Sequence, residues 1–176
     1  NYGMVYLTPD RSSANAKKGV KEMIREIHTV GPNPKEVVRL HSDHDASFAG
    51  ELADELLGSK VRQTHTGGHR PRATNNSTTE KRIGLVLYSF RAMLYTATGG
   101  SKYYDQLWGP GLVHANKMVN YSTWSDGTSP CTTRVGRPYA FTTHDHVFGA
   151  KCLYWEKKEH RQTKWEVTGQ KGIWVG

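Results

Sequence analysis

Two carboxylates set the chemical question. Asp43 closes the apolar run "VVRLHSD", and Glu80 lies in "NNSTTEKRIG" with 36 residues between them. A carboxylate at the end of a buried strand projects from the sheet edge, where α/β folds assemble their sites. A second carboxylate brought beside it would be repelled, and one of the two would keep its proton unless a cation lay between them. A hard divalent ion with oxygen ligands, Mg²⁺ or Mn²⁺, meets that need. Such ions activate a water or hydroxyl and stabilise the leaving oxygen in phosphodiester displacement. Each acid also has an ordinary structural use. An Asp after a strand commonly makes a turn, and Ser77-x-x-Glu80 has capping-box spacing.

The surroundings of these acids are basic. "HTGGHRPRATNN" holds His69, Arg70, Arg72 and Asn76, and Lys81, Arg82 and Arg91 follow. Phosphate contacts from such a cluster would be salt-sensitive and indifferent to sequence; a solvated loop is the alternative. The whole chain carries a formal charge of +8, which favours a polyanionic partner, nucleic acid before an anionic membrane. No apolar run approaches a membrane span. Two cysteines, Cys131 and Cys152, make no disulfide framework and suggest a reducing, intracellular setting. With His144 and His146 they lack the tight pairs usual for zinc.

The elements that must position the acids alternate. Residues 2–8 read as a strand. Ser12 or Ser13 can cap a helix with Val20, Met23, Ile24 and Ile27 at helical spacing. "GPNP" stops it, "KEVVRLHSD" is a second strand, "ASFAGELADELLGSK" an amphipathic helix and "VRQTHT" a third strand. A long helix runs from about Ser77 to Thr96. Another covers "YYDQLWGPGLVHANKMVNYS", with Pro110 in its way. A polar connector over 123–138 separates residues 1–122 from a small β unit over 139–176, where Trp155, Trp165 and Trp174 are expected to pack. Strands alternating with helices imply an α/β layer fold.

"VVRLHSDHDASF" resembles the "RLRSDNGGEF" signature of retroviral-type integrases, and "THTGGHRPRATNNSTTEKRIG" resembles their "T-P-x-x-P-x-x-N-G-x-x-E-R" segment. The tail "FGAKCLYWEKKEHRQTKWEVTGQKGIWVG" resembles the region after the core in Ty1/copia-type retrotransposon polyproteins. The resemblance implies a ribonuclease-H-like integrase core, lacking its first strands, followed by a small β unit. It implies catalytic and metal-binding roles for Asp43 and Glu80, with Mg²⁺ or Mn²⁺ as cofactor. Asn76 matches the Asn of the turn before the Glu; Lys81 and Arg82 fall where basic residues follow it, and His69 and Pro71 lie in the loop that approaches the site. DNA is the implied partner, with self-association, and the nucleus the implied location. Asp45 falls where the family prefers Gly and is not counted as a ligand. The family's first catalytic Asp has no match; Asp10, after Pro9, reads as a turn residue. The implied activity is metal-dependent DNA cleavage and strand transfer, with this fragment alone expected to be inactive. The alternatives are a non-catalytic DNA-binding remnant and another ribonuclease-H-like nuclease.

Overall fold

Ser12 starts the first helix, as its hydroxyl chemistry predicts: Oγ accepts the Asn15 N–H at 3.4 Å. Asp10 makes the turn before it, accepting from the Ser12 N–H and the Asn15 amide, each at 2.8 Å. These bonds hold its exposed carboxyl down to about 2. The computed structural model describes residues 2–29, 36–42, 45–65, 77–100, 104–141, 145–155, 159 and 169–176. Their order is α1 (Ser13–Thr29), β1 (Arg39–Ser42), a 3-10 turn (Ala46–Phe48), α2 (Glu51–Gly58), β2 (Arg62–His65), α3 (Ser77–Thr98), α4 (Tyr104–Tyr121), α5 (Pro130–Val135), β3 (Lys151–Trp155) and β4 (Gly169–Ile173). No described helix is long and apolar enough to cross a membrane.

Two compact units result, Asn1–Leu85 with Asn120–Tyr139, and Val86–Val119 with Ala140–Gly176. In the first, β1, α2 and β2 form a βαβ unit with the two strands parallel. Val20 of α1, Leu52 and Leu56 of α2 and Val61 make its core, with Ala16, Ile24, Leu40 and Phe48 packed around them. Lys17 and Lys21 reach Glu55 at 3.2 and 2.7 Å; such exposed pairs add little stability but agree with the packing of α1 on α2. The helix expected over 46–60 is split. Asp45 caps the 3-10 turn by accepting from the Ser47 N–H at 2.8 Å. Gly50, at φ 61°, then redirects the chain into α2.

Residues 2–8 form no strand ladder, against the alternating pattern. Gly3 is held instead by Asn120, whose Oδ1 accepts its N–H at 3.0 Å and whose Nδ2 donates to its carbonyl at 2.7 Å. Tyr6 lies on Gly19 of α1, where a Cβ would come within 2.9 Å of its ring. Residues 123–138, read as a connector, carry α5, capped by Ser129 with Pro130 in its first turn. From α5 the Arg134 guanidinium donates to the Ile27 and Glu26 carbonyls at 2.5 and 3.4 Å. It thereby satisfies the C-terminal end of α1.

The second unit packs Val86, Phe90 and Met93 of α3 against Leu112, Ala115 and Val119 of α4. α4 continues through Pro110, and at the next residue, Gly111, an added Cβ would lie 2.9 Å from Phe90. β3 and β4 form an antiparallel hairpin. His114, 5 % exposed, sits with ring centroids 5.7 Å from Phe148 and 5.2 Å from Trp174. Its Nδ1 has no hydrogen-bond partner among the described residues. Burial lowers its pKa, nearby Lys117 lowers it further, and Asp145 opposes both. A folded pKa below the unfolded value penalises the protonated folded form. The unit should therefore lose stability as pH falls below about 6.5, the ordinary His value. His114→Phe should flatten that dependence. Urea midpoints of both proteins between neutral and mildly acid pH measure it, and an unchanged slope would refute the assignment.

Candidate nucleic-acid and metal site

The site is built on the C-terminal ends of β1 and β2. Their register pairs Arg39 with Arg62, Leu40 with Gln63, His41 with Thr64 and Ser42 with His65, so both strands finish level. Cross-strand side chains lock that edge: His41 Nδ1 to Thr64 Oγ1 at 2.9 Å and Ser42 Oγ to His65 Nδ1 at 3.1 Å. Leu40 faces the core and Ser42 is buried, while Arg39 and His41 are exposed. The alternation is that of a strand with one covered face. A one-residue slip would reverse the faces, which is why the apolar pattern fixes the register.

The chain leaves this edge directly into Asp43, which lies outside the described residues, as do His69, Arg70, Arg72 and Asn76. Glu80 is described. It is exposed in the first turn of α3, where a carboxylate interacts favourably with the positive end of the helix dipole. Lys81 beside it is exposed. Arg82 follows Lys81 in the same helix. It is half-buried, and its Nη2 donates to Asn120 Oδ1 at 2.5 Å. Burial pulls its pKa below the usual value. Arg91 is exposed and belongs to the second unit.

Among the described residues no group of three or more His, Cys, Asp and Glu side chains could hold a metal ion. Glu80 is the one described acid of the expected pair. A single exposed carboxylate does not satisfy Mg²⁺, which needs several well-placed oxygens. The described donors alone therefore do not fit the ion.

An α/β fold with a parallel strand pair packed against helices, followed by a small antiparallel hairpin, is what these elements define, and it matches part of an integrase catalytic core. The catalytic core domain of BIV integrase is similar to this chain with a TM-score of 0.53, at 15% identity, over 76% of this chain and 79% of that one. A chain of the simian T-cell lymphotropic virus intasome in complex with PP2A regulatory subunit B56 gamma is similar with a TM-score of 0.52, at 11% identity. That match covers 92% of this chain and 53% of the other, so this chain spans about half its length. No protein-family model and no curated protein matches the sequence.

Proposed function

We propose that the chain is part of a Ty1/copia-type retrotransposon integrase, and that its first unit binds DNA backbone beside a two-carboxylate metal site. The observation that carries the reading is the level parallel edge of β1 and β2, which leads straight into Asp43. The integrase-core fold supports it. Asp43 and Glu80 would hold Mg²⁺ or Mn²⁺. Such an ion supplies the charge that polarises a phosphodiester and activates a water or 3′-hydroxyl. Lys81, beside Glu80, and His69, Arg70, Arg72 and Asn76 would hold phosphates and fix the DNA's position. Arg91, in the second unit, is separately proposed to contact phosphate. Arg82 serves mainly as the structural partner of Asn120. The parent reaction is DNA cleavage and strand transfer in integration, carried out by a self-associated protein in the nucleus.

The second reading for this chain is DNA binding without turnover, since no residue in it matches the family's first catalytic Asp. Calorimetric titration with Mn²⁺ tests the metal assignment. Asp43→Asn and Glu80→Gln should each weaken binding by about ten-fold, the loss of one charged oxygen ligand from a weak site. Duplex DNA affinity should hold or rise, since each change removes a negative charge near the phosphates. Native Mn²⁺ affinity in both variants would remove the catalytic assignment and leave a basic α/β module.

A further inference from the structure

We propose that one face of the β3–β4 hairpin binds an unpaired nucleic-acid strand, stacking a base on Trp155 and holding phosphates with Lys151 and Lys171. This goes beyond the proposed function, because the hairpin belongs to the second unit and uses neither Asp43 nor Glu80.

The register places Lys151 opposite Ile173, Leu153 opposite Lys171 and Trp155 opposite Gly169. Directly opposed residues of an antiparallel pair share a face, so these six residues form one surface. Tryptophan here was expected to pack the β unit. Trp174 does, lying edge-on to His114 and His146, while Trp165 lies outside the described residues. Trp155 does not: it is 78% exposed, Leu153 is 72% exposed, and both lysines are exposed.

The two hairpin glycines explain the difference between the faces. On the opposite face Tyr154 lies over Gly172, where an added Cβ would sit 3.3 Å from its ring. On the Trp155 face the partner is Gly169, and a Cβ there would meet nothing within 4 Å. The directly opposed residue therefore supplies no side chain to cover the indole.

Apolar exposure alone would suit several partners. The charge pattern selects among them, since the strand residues of this face include two lysines and no acid. Lysine is depleted from the cores of protein–protein interfaces, whereas an aromatic ring between cations is how proteins hold single strands. Bases in a duplex stack on one another, so only an unpaired base offers its face to the indole. The chain's charge of +8 adds to the attraction.

The test is fluorescence anisotropy of the full chain with labelled oligo(dT) and with a blunt duplex. Trp155→Ala should weaken oligo(dT) binding about ten-fold, the range for losing one base stack, and leave duplex affinity unchanged. Trp155→Phe should keep most of the affinity, because it keeps a ring. Lys151→Glu with Lys171→Glu should weaken binding further and reduce its salt dependence. Native oligo(dT) affinity in Trp155→Ala would overturn the proposal, as would parallel loss of both DNA forms. So would loss of self-association or of binding to phosphatidylserine vesicles while oligo(dT) affinity persists; those results would reassign the face to a second copy or to a membrane.

Discussion

Replacing Asn120 by alanine is expected to cost the first unit about 4 kcal/mol, from two lost neutral hydrogen bonds near 1 kcal/mol each and one to a charged group near 2. Asn120 is 3% exposed. Its Oδ1 accepts from both the Gly3 N–H and Arg82 Nη2, and its Nδ2 donates to the Gly3 carbonyl. One amide thus ties the segment before α1 to the start of α3 from the end of α4. Gly3 is part of the same fit: a Cβ there would collide with the Arg82 guanidinium. No alanine contact compensates, because the lost groups are polar and Asn120 itself is buried. Asn120→Asp keeps an acceptor for Arg82 but cannot donate to the Gly3 carbonyl, so it should fall between the two. Urea denaturation gives the values. A loss under about 1 kcal/mol for Asn120→Ala would show that the three bonds are replaced by water without penalty.

That network also shows where the sequence stops being informative. "YGMVYL" alternates as a strand should, yet the backbone of its Gly3 is satisfied by a side chain 117 residues away. No local pattern encodes such a partner. Asn120 itself reads as the head of an N-x-S/T sequon. Arg82, by contrast, carried a usable signal. It precedes Val86 by four residues and Phe90 by eight, and so falls on the buried stripe of α3 rather than beside Lys81. What was legible is what local chemistry decides. The Ser12 cap, the spacing of Val20 and Ile24, the strand–helix–strand order around Leu52 and Leu56, and the start of α3 before Glu80 all appear as read. The split at Gly50 was hidden because a helix period runs across it, and only the backbone shows the positive φ. Of the site, the sequence located the strand edge and the helix turn. The metal assignment rests on Asp43, to which composition gives a turn role more readily than a ligand role.

Gly149→Ala should destabilise the second unit by about 3 kcal/mol, from roughly 1–2 for a left-handed backbone and 1–3 for overpacking. Gly149 has φ 81°, and its N–H donates to the Trp174 carbonyl at 2.8 Å. Next to it, the Ala150 carbonyl accepts from the Trp174 N–H at 2.8 Å, and the Ala150 N–H closes a turn onto Val147 at 3.0 Å. These bonds hold the approach to β3 against the segment after β4, so the residue cannot relax without opening the hairpin's base. The space is also closed: a Cβ would strike the Ala97 side chain and lie 2.9 Å from its Cα, which belongs to the helical backbone of α3 and cannot swing aside. Gly127 separates the two effects. It has φ 77° but open space around a built Cβ, so Gly127→Ala should cost only the conformational part, about 1–2 kcal/mol. Urea denaturation of the two variants gives the comparison. Equal losses would mean that Ala97 yields to the new methyl, and that the hairpin is not fixed by close contact with α3.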